Sequence, residues 1–255
     1  MPAARWRQSE APRPPLLAVW LGRIPYDDAW QMQRRLLSAR QEGRCPDTLL
    51  LLEHPPVYTC GRRTSPDQLR VAAEALPAPL READRGGGIT FHGPGQVVAY
   101  LVMDLRAWRP DVVAYLRALE EAALAVLARY GLSGERIEGL TGVWLGGEKV
   151  ASIGVRLSRW CTMHGLALNV AVDPRWFRPI VACGIADRGV TSLHLHLAPV
   201  PPLPAVARAL AEECARVFGR QLHYAEAESA SALPRTLAQV LAEEEGDASS
   251  GRLQP

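Results

Sequence analysis

Apolar runs of strand length, each closed by proline or glycine, constrain what this chain can fold into. "LLAVWLGRI" (16–24), "TLLLLEH" before Pro55 and Pro56, "QVVAYLVMDL" and "CTMHGLALNVAV" are too short for core helices and read as strands. "GVWLGGEKVASIGVRLS" reads as a hairpin turning at Gly146–Gly147, with Lys149 opening its second arm. Helical patterns are fewer. "DDAWQMQRRLLSARQEG" has acids at its start and glycine at its end. A second helix runs from Asp111 to about Tyr130, with Asp111 as its cap, Gly131 as its stop and Val112, Leu116, Leu119, Ala123, Val126 and Tyr130 as its apolar stripe. A third covers about 203–218. Strands and helices do not alternate strictly, so the pattern predicts a single α+β domain over 16–225. Residues 1–15 are expected to be a disordered tail, and 226–255 an acidic, partly disordered one.

Net charge of +2 and 48% hydrophobic residues match an ordinary globular protein rather than a disordered or membrane chain. No apolar run approaches the ~20 residues that span a bilayer. The first residues carry arginines but no apolar core, unlike a secretory signal, so a cytoplasmic location is expected. Cys45, Cys60, Cys161, Cys183 and Cys214 are scattered and odd in number, which predicts reduced thiols. Of 29 Lys and Arg residues, Lys149 is the one lysine. Arginine keeps its proton and lysine can lose it, so a titratable amine is kept at one position, by function or by an arginine-biased composition.

Four clusters could carry chemistry. "RGGGITFHGPGQ" (85–96) is glycine-rich but lacks the patterns of a phosphate-binding P-loop and of a dinucleotide fold, leaving a tight structural turn or a close backbone wall to a ligand. Cys161, His164, His194 and His196 could be zinc ligands, although structural zinc favours tighter ligand pairs. Cys183 precedes a glycine in "PIVACGIADRGVTSL" and is either a nucleophile or an inert thiol. Lys149 could pair with such a thiol as ammonium and thiolate.

"LLLLEHPPVYTCGRR", "RGGGITFHGPGQVVAY", "GEKVASIGVRLSRWCTMHGLALNV" and "VACGIADRGVTSL" together resemble the successive motifs of the octanoyl-acyl carrier protein:protein N-octanoyltransferases of lipoate biosynthesis, over about residues 16 to 218. The resemblance implies the α+β fold of lipoate and biotin protein ligases, a mixed β-sheet flanked by helices, and an acyl transfer needing no cofactor and no metal. It implies that Cys183 is the acyl-accepting nucleophile and Lys149 the group that lowers its pKa and handles protons. It implies that Arg85, Gly86, Gly87, Gly88, Ile89, Thr90, Phe91 and His92, with Ser152, Ile153, Gly154, His164, Gly165, Leu166 and Ala167, bind the substrate. The implied partners are octanoyl-acyl carrier protein and the lipoyl domains of 2-oxoacid dehydrogenase and glycine cleavage complexes, with no nucleic acid and no membrane. Arg62, Arg63, Arg81, Arg85, Arg156, Arg159, Arg175 and Arg188 lie near the motifs and could form a docking rim for acidic partners, or be scattered solvated arginines.

One departure from the family pattern is visible. Leu101 follows Tyr100 where the family usually has proline, which restores an N–H and is expected to alter an edge of the sheet. The rival reading is an ATP-dependent ligase of the same fold, which needs a lysine at position 149 but no cysteine nucleophile. A binding module without catalysis would lack the cysteine or the lysine.

Overall fold

The computed structural model describes residues 12–181, 188–227 and 233–242. In chain order the strands and α-helices are β1 (Pro15–Arg23), α1 (Tyr26–Gln41), β2 (Asp47–Glu53), β3 (Val57–Cys60), β4 (Leu80–Glu82), β5 (Ile89–His92), β6 (Gln96–Val102), α2 (Val112–Arg129), β7 (Val143–Leu145), β8 (Glu148–Ser158), β9 (Cys161–Asn169), α3 (Leu203–Val217), β10 (Gln221–Glu226) and α4 (Arg235–Ala242). Seven strands form one mixed sheet in the order β10-β1-β2-β6-β9-β8-β7, and β4-β3-β5 form a second, small sheet. Strand β1 runs parallel to β10 and β2; the other pairings of the large sheet are antiparallel.

The central strands are apolar throughout because both their faces are covered. Leu49, Leu51, Val97, Ala99, Leu101, Leu166 and Leu168 pack with α2 and α3 on one side. The alternate residues Leu50, Leu52, Val98, Tyr100, Val102 and Ala167 face α1 and α4 on the other. Each fully buried leucine of β2 contributes roughly 2 kcal/mol relative to exposure.

Asp111 caps α2 as its sequence indicates, its carboxylate accepting the Ala114 N–H at 2.9 Å. The buried face of α2 is rotated from the expected stripe, with Tyr115, Ala118 and Ala122 taking inner positions and Val112 exposed. The first turn contributes none of the buried face, which begins at Tyr115. Leu101 is not at a sheet edge. It sits in the central strand β6, opposite Leu49, and is 1% exposed. Helix α4 lies inside the expected C-terminal tail; its Leu237 and Val240 are buried in the core that holds α1. The small sheet was not legible because its strands are only three or four residues long. No helix among the described residues is long and apolar enough to cross a membrane.

Candidate active site

A cavity of about 440 Å³ opens between the α1 face of the large sheet and the loops around the small one. Its sheet side is formed by Val98 and Tyr100 of β6, Ser152, Ile153 and Gly154 of β8, and His164, Gly165, Leu166 and Ala167 of β9. Facing them are Arg85, Gly87, Gly88, Thr90 and His92, with Lys149 beside the turn Gly139–Thr141. Three of the expected residues lie elsewhere. Alternation along β5 turns Thr90 and His92 to the cavity and buries Ile89 and Phe91 in the opposite core, where Phe91 stacks on Trp176 at 4.8 Å. Gly86 does not line the cavity; its N–H donates to Val155 O at 2.9 Å and ties the loop to β8. The sequence reading missed Tyr26, Gln68, Val98, Tyr100, Gly139, Leu140 and Thr141, which come from segments distant in the chain, and placed Arg63 in the docking rim rather than in the cavity wall. The family motifs contain Arg63, Val98 and Tyr100, so these had a signal; the others had none.

The glycine stretch is held by its own arginine. Arg85 is 7% exposed and donates to the carbonyls of Gly86 (3.1 Å), Gly88 (2.9 Å) and Thr59 (2.8 Å), and to Thr59 Oγ1 (2.7 Å). Three consecutive glycines let the backbone fold tightly enough around one guanidinium to present these carbonyls to it. Gln68 completes the brace, accepting the Ile89 N–H and donating to Arg63 O.

Next to this brace lies a buried cluster of histidine and tyrosine. His54 Nδ1–H donates to Ile24 O at 2.6 Å, so its Nε2 accepts the Tyr100 hydroxyl at 2.8 Å. His92 packs edge-on against His54 with centroids 5.8 Å apart, and its Nδ1–H donates to Gln96 Oε1 at 2.7 Å. The Gln96 amide N–H groups donate to Phe91 O and Asn169 Oδ1, which assigns both Gln96 and the His92 tautomer. Burial drives both rings neutral, His54 to about 4 against the pull of Ile24 O, and His92 to about 3 with the His54 and Arg85 charges adding to the effect. A chain of bonds continues from Gln96 through Asn169 to the Thr191 carbonyl at 3.0 Å.

His164 holds a left-handed backbone (φ 59°), a region histidine visits more readily than most residues. This turns its N–H away from the ladder to Gln33 Oε1 at 2.8 Å. Its Nε2–H donates to Asp84 at 2.6 Å, and Arg156 pairs with the same carboxylate. Burial opposes ionisation of Asp84, but His164 and Arg156 outweigh it and hold the carboxyl below its usual range. Gly165 follows, and a Cβ there would collide with the Ala99 carbonyl oxygen of β6.

Lys149 is 4% exposed and has no carboxylate partner among the described residues. Its Nζ donates to Thr141 O at 3.3 Å and lies 5.0 Å from the centre of the Trp144 ring. Both backbone groups of Lys149 are paired with the following segment: its N–H with Gly189 O (2.9 Å) and its carbonyl with the Thr191 N–H (3.0 Å). The site can therefore offer a sheltered amine to a reacting group. Cys183, the expected nucleophile, lies outside the described residues. On one flank Val181 donates to Gln68 O at 2.8 Å, and on the other Gly189–Thr191 pair with Lys149.

Among the described residues no three His, Cys, Asp or Glu side chains converge as a metal site would need. His164 is hydrogen-bonded to Asp84 and His196 to Thr191 Oγ1, and Cys161 packs in a buried cluster with Leu37 and Met163. The expected arginine rim is also thinned. Arg81, Arg156 and Arg175 pair with Asp27, Asp84 and Asp173, Arg159 reaches Gln41, and Arg85 is enclosed. Arg62, Arg63 and Arg188 remain exposed and without a carboxylate partner among the described residues.

Residues 25–215 match the model of the lipoyl protein ligase A/B catalytic domain. The chain is 50% identical over 207 residues to an octanoyltransferase of Chloroflexus aggregans, covering 78% of this chain and 94% of that protein. It is 46% identical over 222 residues to an octanoyltransferase of Synechococcus sp. (strain JA-2-3B'a(2-13)), covering 81% and 84%. A solved lipoate-protein ligase A bound with ATP superposes with a TM-score of 0.71 at 13% identity, over 90% of this chain and 92% of that one, which establishes a shared fold. With more than three-quarters of its length in common with octanoyltransferases, and the ligase architecture around its cavity, the chain belongs to the octanoyltransferase family of lipoyl protein ligase A/B catalytic domains.

Proposed function

We propose that this protein transfers an octanoyl group from octanoyl-acyl carrier protein, through a thioester on Cys183, to the lysine amine of lipoyl domains of 2-oxoacid dehydrogenase and glycine cleavage complexes, in the cytoplasm. The observation that carries the reading is the buried Lys149 amine, free of any carboxylate among the described residues and hydrogen-bonded along its backbone to the segment that follows Cys183. High identity to octanoyltransferases supports the acyl group.

In the first step the Cys183 thiolate attacks the thioester carbonyl. The carbon–sulfur bond to the carrier's pantetheine breaks, and the departing thiolate takes a proton from the Lys149 ammonium. In the second step the neutral amine of a lipoyl-domain lysine attacks the acyl-enzyme. Lys149, now neutral, takes the proton of that amine, and the Cys183 thiolate leaves. The enzyme ends as it began, with thiolate and ammonium, and the two half-reactions predict ping-pong kinetics. Val98, Leu140, Ile153, Leu166 and Ala167 supply the apolar contacts for the chain, each buried methylene contributing ~0.8 kcal/mol. The thioester is already activated, so no nucleotide is consumed.

Intact-mass spectrometry after mixing the protein with octanoyl-acyl carrier protein, without ATP, tests the reading. An octanoyl adduct on the wild type that is absent from Cys183→Ala supports it. No adduct, with ATP-dependent modification of a lipoyl domain by free octanoate, would establish a ligase instead.

A further inference from the structure

The turn that carries Thr141 is anchored from the far side by a carboxylate the mechanism does not use. Glu120 lies on α2 and is fully buried at 0% exposure. Its Oε1 accepts the Gly142 N–H at 3.1 Å. Its Oε2 accepts from Arg117 Nη1 at 2.7 Å and from Arg136 Nε at 3.1 Å, both on half-exposed side chains. Arg136 also donates to Arg117 O at 3.1 Å, which closes the brace. A buried carboxylate is costly unless fully paired, and this one has partners on both oxygens.

The brace holds a loop with few other fastenings. Its ends are joined by the Glu135–Trp144 backbone pair, 2.9 and 3.0 Å in the two directions, and inside it Leu140 N–H bonds only to Ile137 O. The loop's inner residues Gly139, Leu140 and Thr141 line the cavity, and Thr141 O is the hydrogen-bond acceptor of the Lys149 ammonium. Gly142 bridges the two contacts. It has φ 137°, where side-chain-bearing residues are strained, and an added Cβ would stand 3.1 Å from Lys149 Cε.

We propose that Glu120 is the positioning residue for Lys149: by fixing the Gly142 N–H it sets the Thr141 carbonyl against the amine and packs the turn onto the lysine stem. The kinetic part of this proposal rests on the octanoyl-transfer reading; the structural part does not. Displacing a group by about 1 Å in such a site costs up to roughly 100-fold in rate. Glu120 touches neither the acyl donor nor the acceptor, so its loss lowers kcat and leaves KM for the donor within about twofold.

Lys149 is the one lysine of the chain, so growth on lysine labelled with carbon-13 at Cε places one lysine side-chain signal in the spectrum. The test compares wild type with Glu120→Gln. The expected result is a displaced or broadened Lys149 signal and a kcat lower by about tenfold to about 100-fold at a folded, cooperative melting profile. An unchanged lysine signal overturns the proposal whatever happens to kcat, because the turn then reaches the reaction by another route. A moved signal with unchanged kcat overturns it as well. Where Glu120→Gln does not fold, Arg136→Gln removes one brace at a half-exposed position and is expected to move the same signal less; no movement there counts against the proposal. If the wild type shows no octanoyl transfer, the functional reading fails while the labelled-lysine comparison still decides the structural link.

Discussion

Arg85 and Lys149 are both buried cations facing one cavity, in opposite surroundings. Arg85 places its guanidinium on three carbonyls and a hydroxyl, and the loop around it is folded to that shape. Lys149 has one long hydrogen bond and the face of Trp144, with no carboxylate among the described residues. A guanidinium cannot lose its proton and suits a fixed architectural charge, whereas an amine with unused donors can pass one on. On the proposed mechanism the contrast gives holding to the glycine-rich wall and chemistry to the opposite one.

The strongest way to break this division is Lys149→Arg, which keeps charge and removes titration. Its expected effect is a kcat loss of about 100-fold to about 10,000-fold in steady-state transfer assays. Full activity in that variant would refute proton transfer by Lys149. Arg85→Ala should act on the other side of the comparison. It strands buried carbonyl oxygens and should lower unfolding free energy by about 3 kcal/mol in urea titrations. An Arg85→Ala protein of native stability with abolished chemistry would reverse the two roles.

Acid should weaken the holding region. His54 and His92 are depressed from 6.5 in the folded protein, so the unfolded chain binds more protons at low pH. Their contribution is complete above pH 6.5 and is lost as pH falls toward 4 for His54 and toward 3 for His92. Between about pH 7 and about pH 5.5 it should fall by roughly 2 kcal/mol, and His92→Gln should flatten the dependence. A flat stability curve in the wild type would show that these rings are not held neutral by the fold.

The smallest effect concerns the exposed arginines. Neutralising Arg62, Arg63 and Arg188 together should lower kcat/KM by a few-fold, roughly the scale of screened surface charges, and reduce its salt dependence. An unchanged salt response would remove them from docking.

Legibility in the sequence followed the range of the interactions. The large-sheet strands β1, β2, β6, β8 and β9 could be read because each is an apolar run ended by its own breakers, and α1 to α3 because caps and periodicity are local. The small sheet and β10 could not, since three to six residues of mixed polarity bury nothing until other segments cover them. The stretch "RGGGITFHGPGQ" suggested a loop, yet the residues directly after its three glycines form strand β5, whose alternation separates His92 from Phe91. Tyr26 and Asp84 carry no local mark of their roles; they meet His164 and the cavity through long-range packing.

The chain by itself determined the α+β class, the family motifs and the singular lysine, because residue identity and short spacing are enough for each. Only the tertiary structure decided that Arg85 is enclosed, that His54 and His92 are neutral, and that Glu120 braces the turn over Lys149. Hydrogen bonds and burial depend on which distant segments meet, and that juxtaposition is written in no local stretch of sequence.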